Sequence, residues 1–81
     1  MLCYIYRSSK KRDTYLYLVE KDGVNGLPDA LCHLLGRLEF VMQLDLSKRN
    51  RLENADIAEV KQCLREHGFY LQLPREQHLQ A

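Results

Sequence analysis

Apolar and aromatic positions in this chain fall into short runs of two different periods, divided by polar turns. Residues 2–7 and 14–19 are rich in β-branched and aromatic side chains, and Ser8-Ser9-Lys10-Lys11-Arg12-Asp13 between them is polar and long enough to reverse the chain. The pair reads as a β-hairpin. Leu2, Tyr4 and Tyr6 share one face of the first run and Cys3 and Ile5 the other; Tyr15, Tyr17 and Val19 oppose Leu16 and Leu18 in the second. Apolar groups on both faces predict strands covered on both sides, at the centre of a layered sheet. Residues 38–46 alternate more cleanly. Leu38, Phe40, Met42, Leu44 and Leu46 are expected on a buried face, with Glu39, Val41, Gln43 and Asp45 on a wet one, which predicts an edge strand.

Helical spacing governs the segments between. Leu27, Ala30, Leu31 and Leu34 recur on one face, Pro28 fits a first helical turn, Asp29 complements its positive end and Gly36 supplies a stop. A second, longer helix is expected over residues 54–67, with Ile57, Val60 and Leu64 as its apolar stripe and Ala58 and Cys63 beside it. Asn54 caps its start, or Asp56 with Glu59 forms a capping box two residues later. Gly68 ends it, residues 69–73 form a last strand, Pro74 stops that strand, and the polar tail 75–81 has room for a helical turn over 75–79. The order is ββαβαβ. Placing the two doubly apolar strands centrally, and letting helical connections favour parallel neighbours, predicts the sheet order third, second, first, fourth. The expectation is an α/β fold: a three-layer α/β/α sandwich around a four-stranded mixed sheet, in a single domain of residues 1–74 followed by the tail 75–81.

At 81 residues, 46% hydrophobic and 28% charged, the composition is that of one small globular domain and not of a disordered, collagenous or low-complexity chain. The formal net charge of +1 singles out no partner class. No apolar run approaches the roughly 20 residues of a membrane span, and the first residues lack the pattern of a secretory signal. Cys3, Cys32 and Cys63 are odd in number and far apart, which is not a disulfide framework. A cytoplasmic protein with reduced thiols and no membrane association is expected.

The groups that carry chemistry do not converge. Histidines 33, 67 and 78 and the three cysteines offer no CxxC or HxxxH spacing, and Cys63 with His67 is a single pair. Ser8, Ser9 and Ser47 lie outside any Gly-x-Ser-x-Gly pattern. Glu39 and Asp45 share a predicted wet face but stand six residues, roughly 20 Å, apart along a strand. Gly23 and Gly26 precede a helix without the Lys and Ser/Thr of a phosphate loop. No enzyme activity, cofactor or metal is expected.

Charge is nevertheless unevenly placed. Residues 1–12 carry Arg7, Lys10, Lys11 and Arg12 and no acid, and residues 46–52 add Lys48, Arg49 and Arg51. Strand direction places these basic loops at opposite ends of the sheet. Tyr4, Tyr6, Tyr15 and Tyr17 lie beside the first one. Aromatic side chains on an open sheet stack bases while Lys and Arg hold phosphates, whereas tyrosines in a covered sheet are packing residues with wet hydroxyls. Arg7, Lys10, Lys11 and Arg12, with Tyr6 and Tyr15, are therefore the candidate contacts for a partner or a nucleic acid.

The stretches Cys3-Tyr4-Ile5-Tyr6-Arg7-Ser8-Ser9-Lys10, Thr14-Tyr15-Leu16-Tyr17, Asn54-Ala55-Asp56-Ile57 and Gly68-Phe69-Tyr70-Leu71-Gln72-Leu73-Pro74 resemble, in this order, the YcgL family of small bacterial proteins. The resemblance spans roughly residues 1–74. It implies an α/β/α sandwich and brings no catalytic site. Family genes often neighbour one for ribonuclease D, so the resemblance adds an RNA association to the readings. Two functions stand: a non-catalytic protein-interaction or regulatory module with a protein partner, and, as the alternative, an RNA-associated accessory protein linked to RNA metabolism.

Overall fold

In a computed structural model of the chain, which describes residues 1–21, 23–48 and 56–74, the hairpin forms as expected. Strand β1 (Leu2–Ser8) pairs antiparallel with β2 (Tyr15–Leu18), Tyr4 lying opposite Leu18 and Arg7 opposite Tyr15. After a 3-10 turn at Gly23–Gly26 comes α1 (Asp29–Leu35), then β3 (Leu38–Asp45), α2 (Ile57–His67) and β4 (Phe69–Gln72). The expectations for Asn54, for Arg49 and Arg51, and for residues 75–79 lie outside the described residues.

The ends of the helices follow their local chemistry. Pro28 precedes α1, and its carbonyl accepts from the N–H groups of Leu31 and Cys32. In α2 the start falls at the later of the two expected positions: an Asp56 side-chain oxygen accepts from the Ala58 N–H at 2.9 Å. Gly68 closes α2 in the left-handed region at φ 83°, its N–H bonded to the Leu64 carbonyl. Gly36 adopts φ 70° with ψ −145°, and a Cβ there would lie 2.7 Å from Lys10 Cγ and 2.9 Å from Ser9 Oγ. Only glycine lets the α1 terminus come this close to the hairpin turn.

Among the described residues the sheet is antiparallel throughout, in the order β3-β1-β2-β4. This corrects the expected mixed sheet and its order. β2 and β3 do run in the same direction, but β1 lies between them, so the α1 connection crosses over one strand instead of joining neighbours. Burial placed β1 and β2 at the centre, and it cannot distinguish which of two equally covered strands accepts β3.

Two cores lie on the two faces. Cys3, Ile5, Tyr17, Leu44 and Leu46 pack with Val60 and Leu64 of α2. Tyr6, Leu16, Leu18 and Leu27 pack with Leu35 of α1. The helices therefore cover opposite faces. Of the expected α2 stripe, Val60 and Leu64 are buried and Ile57 is half-buried.

The second correction concerns β3. Ile5 lies opposite Met42 but Tyr6 lies opposite Phe40, so β3 holds one extra residue, Val41. A bulge reverses the side-chain alternation beyond it. Leu44 and Met42 are on the α2 side with Cys3 and Ile5, whereas Phe40 and Leu38 are on the α1 side with Tyr6 and Ser8. The single buried face expected for this strand is thus divided. Phe40, Val41 and Met42 are 52%, 47% and 40% exposed.

Candidate functional site

The hairpin turn carries most of the candidate residues, and the structure assigns them separate tasks. Arg7 leaves β1 on the α2 side, and one of its guanidinium nitrogens lies 3.2 Å from Glu39 on β3. Both side chains are more than half exposed, so this pair contributes little to stability. Lys10 Nζ donates to the His33 carbonyl at 3.1 Å, and the Lys10 N–H donates to the Leu35 carbonyl. These bonds satisfy carbonyls left open at the end of α1. Ser8 Oγ donates to the same Leu35 carbonyl at 2.6 Å and accepts from the Lys11 N–H. Lys11 and Arg12 are exposed on the turn.

A further cation joins this end. The Ser9 N–H donates to the Arg37 carbonyl at 3.0 Å, which brings exposed Arg37 beside Lys10 and the turn. Residues 13–45 hold six acids against Lys21 and Arg37, and no local signal links Arg37 to the hairpin; the pairing of β3 with β1 does. Lys48 stands at the other end, past Asp45, which lies opposite Leu2.

The tyrosines divide between the faces. Tyr6 is 9% exposed, its hydroxyl donates to the Lys21 carbonyl, and its ring meets Phe40 edge-on with centroids 5.6 Å apart. Tyr15 is half-buried against the opposite core. Tyr17 is buried, its hydroxyl bonded to Gln72 at 2.6 Å and its ring edge-on to Tyr70. Burial, with the neighbouring Cys3 and Tyr70, pushes the Tyr17 phenol up to about 12. Tyr6 and Tyr15 do not share a surface, and helices cover the faces that a base-stacking platform needs.

The thiols are free. Cys3 is fully buried, and desolvation pushes it up to about 11, far from a reactive thiolate. Cys32 is half-buried against the α1 core, and Cys63 is half-buried on α2. Among the described residues no group of three His, Cys, Asp or Glu side chains is placed to hold a metal ion. A concavity of about 340 Å³ lies between the 3-10 turn and the α2–β4 junction, with Leu18, Leu27 and Phe69 in its wall and exposed Glu20 and His67 at its rim. Among the described residues no helix is long and apolar enough to cross a membrane.

The remaining surface of note is the free edge of β3. Phe40, Val41 and Met42 are consecutive, apolar and exposed on a strand that has one neighbour among the described residues. Natural edge strands are usually short, charged or covered. This one spans eight residues with its apolar exposure at the middle.

Comparison with known proteins places these features in a family. The model of the YcgL domain matches residues 3–75. A YcgL domain-containing protein of Proteus mirabilis is 51% identical over 74 residues, 91% of this chain and 76% of its own length. A protein YcgL of Salmonella typhi is 50% identical over the same share of this chain and 67% of its own length. A YcgL domain-containing protein of Klebsiella pneumoniae is 49% identical, with 80% of its length covered.

Proposed function

For this chain, which belongs to the YcgL domain family of bacterial proteins, we propose the role of a non-catalytic protein-interaction or regulatory module in the cytoplasm. The observation that carries this reading is the run of exposed apolar side chains, Phe40, Val41 and Met42, on the open edge of β3. An extended partner segment adding to a sheet edge gains main-chain hydrogen bonds, and flanking side chains then set specificity. Burial of the tyrosines on two faces argues against base stacking. The three free thiols fit a reducing compartment.

The test is capture of partners by the tagged protein from bacterial lysate, with and without ribonuclease, in parallel with Val41→Lys. Protein partners that survive digestion and are lost with Val41→Lys support docking at β3. Partners that vanish on digestion alone assign the protein to RNA instead. In that case neutralising Lys10, Lys11 and Arg12 together would flatten the salt dependence of RNA binding by roughly two log–log units.

A further inference from the structure

The outer edge of β3, unpaired among the described residues, contains a break in phase, and the break selects what can pair with it. The Ser9 N–H donates to the Arg37 carbonyl at 3.0 Å, and the Leu46 N–H donates to the Met1 carbonyl at 2.8 Å. In an antiparallel ladder alternate residues turn both backbone groups toward the same neighbour. Counting inward from these two bonds along the register, Arg37 and Glu39 at one end, and Leu46, Leu44 and Met42 at the other, face β1. Leu38 and Phe40, then Gln43 and Asp45, direct theirs outward. The step from Phe40 to Gln43 is three residues, not two, because Val41 is extra. A regular strand aligned with Leu38 and Phe40 is one residue out of phase with Gln43 and Asp45.

A second copy of β3, reversed, carries the same extra residue and restores the phase. Phe40 then meets Gln43 of the second copy, Leu38 meets Asp45, and the reciprocal pairs follow by symmetry. The faces agree as well. Leu38, Phe40, Gln43 and Asp45 lie on the α1 side, and Glu39, Met42 and Leu44 lie on the α2 side. Glu39 meets Leu44 in the same alignment, so each of these pairs joins residues of one face, as cross-strand packing requires. Around the axis stand Val41 and Met42 of both copies. Charge agrees with the reversal: Arg37, just before β3, comes within one residue of Asp45 of the second copy.

We propose that two copies of this chain pair through β3, antiparallel about an axis between Val41 and Met42, to make one continuous eight-stranded sheet. The proposal rests on the reading of this edge as a docking surface and names its occupant. Sedimentation of the purified protein over a range of concentrations tests it without any other partner. A dimer is expected. Val41→Lys sets like charges across the axis, and Gln43→Pro removes an outward N–H; each should weaken the dimer at least about tenfold. Hydrogen exchange needs no variant. The Phe40 and Gln43 amides should gain protection as concentration rises, while those of Glu39 and Leu44 are protected throughout. A wild type still monomeric at about 1 mM, or a dimer undiminished in both variants, overturns the proposal, the bulge then serving to blunt the edge. Failure of self-pairing leaves the docking reading to the capture experiment, in which a different protein is retained through Val41.

Discussion

The two central strands and the edge strand β3 are almost equally apolar in sequence, yet they live in different environments. β1 and β2 each lie between two neighbours and two helices, and Cys3, Leu16, Leu18 and Tyr17 are at most 5% exposed. β3 has one neighbour among the described residues, and its alternation is divided by Val41, so the helices cover its ends and leave Phe40 to Met42 open. The centre stores the stability of the domain, and the edge holds apolar surface that the fold does not use. The same residue type therefore has opposite consequences in the two places: at the centre a change is read as stability, at the edge as association.

The largest expected effect separates the regions outright. Val60→Asp, on the helix that covers Cys3 and Ile5, buries an uncompensated charge and should cost on the order of 4 kcal/mol or more. At protein concentrations low enough for the monomer to predominate, Val41→Lys should change stability by less than about 0.5 kcal/mol. Denaturant unfolding of both variants measures the contrast, and similar losses would erase it.

Alkaline pH acts on the centre. The Cys3 thiol titrates from 9.0 in the unfolded chain to about 11 in the fold, raised mainly by desolvation. The unfolded state therefore holds fewer protons between these values, and stability falls as pH rises. The slope is up to about 1.4 kcal/mol per pH unit, starting near pH 9. Tyr17 adds to the loss at higher pH, its phenol raised to about 12 by burial first. Cys3→Ala should remove the first part of the decline in unfolding curves recorded from pH 8 to 11. At the edge the sign is opposite. Hydrogen bonds from the Ser47 hydroxyl and N–H hold the Asp45 carboxyl below its usual range. Its contribution is present above the ordinary carboxylate value and is lost as pH falls through the lowered one.

Gly36 and Gly68 sharpen the comparison at the turns. Gly36→Ala, in the turn that leads into β3, meets Lys10 Cγ and Ser9 Oγ and should cost about 1–3 kcal/mol. Gly68→Ala has open space around its Cβ, carries only the left-handed backbone strain, and should cost about 1 kcal/mol. Thermal melts rank the two, and an equal cost would mean that the hairpin yields to α1. The smallest effect belongs to the exposed Arg7–Glu39 pair. Arg7→Gln and Glu39→Gln should each shift stability by less than about 1 kcal/mol, less still at high salt.

Local chemistry was enough to determine the six main elements, the stop at Gly68 and the two-sided burial of β1 and β2, because each depends on neighbours within a few residues; of the two caps it allowed for α2, the structure uses Asp56. Hairpin geometry likewise placed Lys10, Lys11 and Arg12 together on one turn. What the sequence left open was settled between segments far apart in the chain. β1 accepts β3 and β2 accepts β4, a choice between two central strands of equal burial. Arg37 reaches the basic end only through that pairing, whereas Tyr6 and Tyr15 part to opposite cores because the hairpin register sets Tyr15 opposite Arg7 and Tyr6 opposite Leu16. Val41 looks like one more member of a regular alternation, since a bulge depends on how a strand's length and twist fit its neighbour. Period-two hydrophobicity reports which side chains alternate, but only the register against β1 decides where the alternation reverses, and with it the exposure of Phe40, Val41 and Met42.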